Sequence, residues 1–212
     1  VVTATTGKPK FTRAKSKASG RLLVGDFLYK KDMVETGPGE MAALALLSGV
    51  ELRVNAQTRF EVSEGGGGEM PASIQLGIGQ VWTKLLHGKA GFEVRTGAAV
   101  AAVRGTEADA EFHDRLRVRV YEGVVDVTNG FGSQTLTAGT MLEVANARSA
   151  PQSPQSMTPA DQLAWQEGVA PKDVEPLLQR LRSEAQASRD VEFSVPGKDG
   201  TDRKVRFKLK KK

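Results

Sequence analysis

The chain has 212 residues, no cysteine, two histidines and a formal net charge of +5. The missing thiols exclude a disulfide framework, a cysteine nucleophile, an iron–sulfur cluster and any cysteine zinc site. His87 and His113 alone cannot build a multi-histidine metal centre within one copy, and no cofactor is expected. No apolar run approaches the ~20 residues of a membrane-spanning helix. The chain also starts without a basic, apolar leader, which fits an exported form whose signal peptide has been removed or a protein that never had one.

The charge is segregated. Residues 8–17 carry Lys8, Lys10, Arg13, Lys15 and Lys17 and no acid. Residues 201–212 carry Arg203, Lys204, Arg206, Lys208, Lys210, Lys211 and Lys212 against Asp202 alone. The body between them is mildly acidic, so any partner drawn by basic charge is expected at the ends. Glycine, at 23 residues, is too sparse for collagen and too abundant for a helical bundle, and it suits many tight turns between short strands.

In chain order the first 147 residues read as such strands. Met41 to Leu47 favours helix by propensity, but seven residues bounded by Pro38-Gly39 and Ser48-Gly49 fit a buried strand better. Leu52 and Val54 alternate, as do Phe60 and Val62. Gly65 to Gly68 reads as a loop tip. Ile74, Leu76 and Ile78 alternate up to Gly79, where the register slips to Val81, which predicts a bulge or bend. Phe92 and Val94 form the next pair, followed by Val100 and Val103. Leu116, Val118 and Val120 face one way, and Arg115, Arg117, Arg119 and Tyr121 the other, the period of a strand with one buried face. Val125 and Val127 lead to the turn signal Asn129-Gly130, and Leu136, Leu142 and Val144 follow.

Composition shifts at residues 148–157, a proline- and serine-bearing linker. Residues 158–188 predict two short helices. Thr158 is the N-cap candidate of the first, with Pro159 in its first turn and Gly168 at its end. In the second, Val174, Leu177, Leu178 and Leu181 share one face. Both are expected to pack on the β body, being too short to persist alone. Residues 190–212 predict a basic β-hairpin, with Val191, Phe193 and Val195 alternating before a turn and Val205, Phe207 and Leu209 after it.

Several short motifs along the strand run resemble the FecR domain, a bacterial cell-envelope module. They are Gly25-Asp26 within Leu23 to Asp26, Thr36-Gly37 within Val34 to Gly37, and Ala43 to Leu46. Phe92 to Gly97 follows, then Val103-Arg104-Gly105-Thr106-Glu107, Glu122-Gly123 within Val120 to Val127, and Leu136 to Gly139. The turn Leu47 to Val50 differs from the family's usual Asp-Gly-Ser, and Thr96-Gly97 stands where Thr-Pro is typical. The resemblance covers most of residues 1–147. It implies a mainly β, solenoid-like stack of short strands in the periplasm or on the cell surface that binds other proteins. The best-known members are membrane-anchored regulators of sigma factors that carry a cytoplasmic helical segment and a transmembrane helix. Neither precedes the domain here, so the resemblance implies a stand-alone member without the anti-sigma function.

The candidate sites have competing readings. Arg104 could grip a partner carboxylate, or pair internally while Gly105 supplies an unusual backbone angle. Asp26, with Asp32 or Glu35, could be a catalytic carboxylate pair, or Asp26 could bond nearby N–H groups in an Asx-type turn. The structural reading is preferred, since no nucleophile or base lies at readable spacing. His87 and His113 read as surface residues. Asp109, Glu111, His113 and Asp114 could hold a cation at a strand edge, though without a calcium-loop pattern. Trp165 could dock a partner or its own helix, the second being preferred.

The basic residues Arg203 to Lys212 could meet an anionic envelope polymer, lipid or acidic protein face, or guard a strand edge with lysine. As a nucleic-acid arm they lack aromatics to stack bases. These readings predict a non-enzymatic envelope protein acting as an interaction or scaffold module, with other envelope proteins or anionic polymers as partners and with self-association open. The rivals are a cell-wall polymer-binding or -processing protein and a nucleic-acid-binding protein using its basic ends.

Overall fold

In the computed structural model the described residues are 1–64, 71–85, 91–104, 107–171, 174–187, 190–196 and 202–208. Their strands, in chain order, begin with β1 (Val2–Thr6), β2 (Lys10–Thr12), β3 (Ser19–Arg21), β4 (Met33–Glu35), β5 (Met41–Ala45) and β6 (Val50–Val54). Next come β7 (Arg59–Glu64), β8 (Ala72–Leu85), β9 (Phe92–Arg95), β10 (Val100–Val103), β11 (Glu107–Phe112) and β12 (Leu116–Glu122). The last are β13 (Val124–Asn129), β14 (Gly132–Thr137), β15 (Thr140–Val144), β16 (Gln155–Ser156), β17 (Asp190–Pro196) and β18 (Asp202–Lys208). The segment of ambiguous propensity, Met41–Ala45, is a strand with four of its five residues buried. Burial between two neighbouring strands outweighs the helix preference of alanine and leucine.

The first sixteen strands are one hydrogen-bonded sheet folded into two layers. The first layer runs β1-β5-β6-β8-β11-β12-β15-β16 and the second β3-β2-β4-β7-β8-β9-β10-β13-β14. All pairings are antiparallel except β8 with β9. From β4 onward the chain places strands on one layer and then the other.

β8 belongs to both layers. Residues 73–78 pair with β7, and residues 81–85 pair with β6. The change falls at Gly79, whose φ is +106°. A Cβ there would lie 2.4 Å from the Thr58 Cα. The Thr58 hydroxyl accepts the Gln80 N–H at 3.0 Å and holds the bend. The register slip expected at this glycine is therefore the crossing between layers.

One apolar cluster fills the space between the layers. Leu44, Leu52, Val81, Val118 and Leu142 come from the first layer, and Phe60, Ile74, Leu76, Phe92 and Val94 from the second. Burial of each such side chain contributes about 1.5–3 kcal/mol. The helix α1 (Glu175–Ala187) closes one end. Leu178 is buried there with Val1 and Ala45, and Phe27, Val174, Leu177 and Leu181 pack around them. A cavity of about 80 Å³ remains between Leu181, Leu28, Leu52, Phe60 and Ile74. No described helix is long and apolar enough to cross a membrane.

The first of the two expected helices takes the form of two 3-10 segments, Pro159–Asp161 and Trp165–Val169. Thr158 starts the first as anticipated, its N–H and hydroxyl donating to Asp161 Oδ2 at 2.8 and 2.7 Å. Gln162 is extended, with ψ 94°, so the chain lies along the outer face of the first layer as a strap instead of coiling away from it. The linker is also partly ordered, because β16 pairs with β15. The terminal hairpin pairs β17 with β18 in the register Asp190↔Lys208 and Phe193↔Val205.

Candidate functional site

The residues of the Gly25-Asp26 motif close a turn. Gly25 has φ +91°, and the Asp26 carboxylate accepts the Leu23 N–H at 2.8 Å. The same turn exchanges backbone bonds with Val2, both at 2.9 Å. Thr36 is buried, donates its hydroxyl to the Asn55 carbonyl at 2.6 Å and accepts the Thr58 N–H at 2.9 Å. The Gly37 N–H donates to Glu40 Oε2 at 2.7 Å. These motifs join turns to neighbouring strands.

The carboxylates proposed to pair with Asp26 are otherwise engaged. Asp32 is buried, contacts Arg13 at 2.5 Å and accepts the Ala14 and Tyr29 N–H groups. Glu35 lies 3.7 Å from Arg59. Val103 is a core residue. Arg104 contacts Asp126 at 2.9 Å while its side chain stays 72% exposed, so it has an internal partner and an open face. Glu122 is exposed, and Gly123 turns the chain with φ +83°. Gly105, Thr106, His87, Lys210, Lys211 and Lys212 lie outside the described residues, as does the Gly65 to Gly68 tip. Arg203, Lys204, Arg206 and Lys208 fall on β18.

A polar cluster that sequence reading missed lies on the outer face of the first layer, beneath the strap. Asp109 is only 1% exposed. It contacts Arg119 at 2.9 Å and accepts bonds from Gln80 Nε2 at 3.0 and 3.1 Å and from Trp165 Nε1 at 3.4 Å. Burial pushes its carboxyl up from 3.8 to about 6, with Arg119 the strongest opposing influence. Arg119 also reaches Glu111 at 3.1 Å. Beside them Arg53 stacks over Trp82 at 4.5 Å, pairs with Glu51 at 2.6 Å and donates to the Gln166 carbonyl at 2.9 Å. The Tyr121 phenol is pushed up to about 12, first by burial and then by the Asp109 charge. Arg119 Nε and Gln166 Oε1 are buried without a hydrogen-bond partner.

The four residues considered as a cation site are distributed along this arginine ladder. Asp109 and Glu111 face Arg119, Asp114 lies 3.3 Å from Arg115, and His113 lies 3.9 Å from Glu111. Among the described residues no group of three or more His, Asp or Glu side chains converges as a metal site would. Glu143, held below the usual carboxylate range mainly by its bond from Arg117, extends the ladder to β15. Alternation alone marks Arg119 as solvent-facing. The signal that could have revealed the cluster is that Asp109 and Glu111 share a strand parity that sets them against Arg119 and Arg117 across the β11–β12 hairpin.

Residues 32–126 match the family described as FecR protein. No curated protein gives a significant match. Two crystal structures of a "putative anti-sigma factor" from Parabacteroides distasonis ATCC 8503 share the fold. They are 15% and 14% identical to this chain, each with a TM-score of 0.51, and the alignments cover 84% of this chain and 99% of theirs.

Proposed function

We propose that residues 32–126, which match the FecR family, form a FecR domain, and that this chain is a protein-interaction module of bacterial cell-envelope signalling that works by surface recognition and carries out no reaction. The family match carries the reading. It is supported by the placement of the acids that a catalytic reading would need, since Asp26 and Asp32 are each bound within the fold. We place the chain in the periplasm or on the cell surface, after removal of a signal peptide, with other envelope proteins or anionic polymers as partners. The FecR-like unit spans residues 1–147, and residues 148–157 link it to the helical segment 158–188. In this reading the basic residues of 190–212 are the part that would meet an acidic partner. The family-motif residues Gly25, Asp26, Thr36, Gly37, Val103, Arg104, Glu122 and Gly123 act as structural joints.

Proximity labelling in the native cell tests this, comparing the full chain with a variant in which Arg203, Lys204, Arg206 and Lys208 are changed to serine. Envelope neighbours that disappear in the variant support docking through the hairpin. Envelope neighbours that persist move recognition to the β body near Arg104. Cytoplasmic or nucleic-acid-associated neighbours overturn the proposal.

A further inference from the structure

A two-layer stack has four lateral edges, and among the described residues three of them are short, or covered over part or all of their length. At the start of the first layer, β1 is met at its first residue by the Gly25-Asp26 turn through its bonds to Val2. At the end of that layer, β15 is covered by β16 and by the Gln152 and Met157 N–H groups, which donate to the Glu143 and Gly139 carbonyls. At the start of the second layer, β3 is three residues long and flanked by Lys15 and Lys17, the short, lysine-guarded design that discourages pairing.

β14, at the other end of the second layer, is packed at its first residue, Gly132, by Ala150 and Pro151, and beyond that, among the described residues, it has none of these protections. It is six residues long, Gly-Ser-Gln-Thr-Leu-Thr, with no charge and no proline, and among the described residues it pairs with β13 alone. Asn129 and Gly132 close a two-residue turn, so Gly132, Gln134 and Leu136 exchange backbone bonds with β13. Ser133 and Thr135 therefore aim their N–H and C=O groups outward. Thr137, of the same parity, confirms the direction: its N–H and carbonyl both bond the Thr140 hydroxyl, at 3.1 and 2.6 Å. The backbone groups of Ser133 and Thr135 meet no partner among the described residues. Phe131, in the turn beside them, is 59% exposed.

We propose that β14 is a self-association edge, pairing antiparallel with β14 of a second copy of this chain and continuing the second layer across a two-fold axis. The strand is self-complementary in one register. With Gln134 at the axis, Ser133 of each copy lies opposite Thr135 of the other, and the four outward backbone groups of each copy are satisfied in four hydrogen bonds. No like charges are opposed, which would be the main obstacle to a symmetric strand pair. The same register sets the exposed Phe131 beside Thr137 of the second copy. The side chains do not obstruct the edge, because the Ser133 hydroxyl bonds Thr128 at 2.8 Å and the Thr135 hydroxyl bonds Asp126 at 2.7 Å, both on β13. This inference is independent of the proposed signalling role, since the purified chain alone reports it.

Sedimentation equilibrium of the full chain over a concentration series, at low and at high salt, provides the test. The expected result is a mass rising from 22.7 kDa toward twice that value with little dependence on salt. Attraction between the basic ends and the acidic body would instead weaken as salt is added. Two variants share Thr135→Lys and differ only at position 133. Ser133→Lys with Thr135→Lys sets like charges opposite one another and is expected to raise the dissociation constant ~10-fold or more. Ser133→Glu with Thr135→Lys sets opposite charges together and is expected to retain association. Neither position donates backbone bonds to β13, and circular dichroism checks that both variants fold. A monomer at every concentration, association abolished by salt, or equal association of the two variants would each overturn the proposal.

Discussion

Asp109 shows how a single residue can carry a cost that the fold absorbs. Its carboxyl lies under the strap against Arg119, Gln80 and Trp165, and burial raises it to about 6. The folded chain then holds this proton more tightly than the unfolded chain, so the contribution of Asp109 to stability is present below about pH 4 and is lost as pH rises through about 6. Asp109→Asn cannot ionise and lacks this loss. Urea unfolding at pH 4 and pH 7 should show the wild type losing about 2 kcal/mol relative to the variant. A difference unchanged with pH would mean that Arg119 fully compensates the buried charge. Gly79 is the second decisive residue. Alanine there meets both a positive φ and the Thr58 backbone, so Gly79→Ala should cost about 3–5 kcal/mol in denaturant unfolding.

At the scale of elements, the strap and α1 are held by side chains that reach back to the β body. α1 is 13 residues long with Pro176 in its first turn, which is too short to persist without its apolar contacts. Leu178 is its most buried anchor. Leu178→Asp should release the helix, so that hydrogen exchange over 177–184 rises to the unfolded rate while the amides of β8 remain protected. Equal deprotection of both would show instead that α1 and the stack unfold as one unit. The strap is held differently, by Trp165 on Asp109 and by Arg53 on the Gln166 carbonyl. These bonds select short 3-10 turns where propensity favours a continuous helix.

For the whole molecule, winding between two layers makes most pairings non-local. β1 pairs with β5, and β8 contributes to four neighbouring strands. Loop closure must precede most of the stabilising contacts, so refolding from urea is expected in milliseconds to seconds, followed by stopped-flow fluorescence of Trp82 and Trp165. Microsecond refolding would contradict this picture. The same winding leaves lateral edges on the stack, and among the described residues β14 is an uncharged edge whose outward backbone groups at Ser133 and Thr135 meet no partner.

Period-two alternation, glycine-bearing turns and the FecR-like motifs were enough to recover the mainly β character, the strand at Met41–Ala45, the break at Gly79, the apolar face of α1 and the terminal hairpin. Each depends on residues close together in the chain, where the pleat and the turn dihedrals act directly. Tertiary structure alone decided that Gly79 carries β8 from one layer to the other. It also decided that the segment after Thr158 becomes a strap, that Arg119 is buried against Asp109, and that β14 is left as an open edge. Those outcomes depend on strands separated by tens of residues. Local pattern marks a face as polar, and only the assembled neighbours determine whether water, a carboxylate or another strand will meet it.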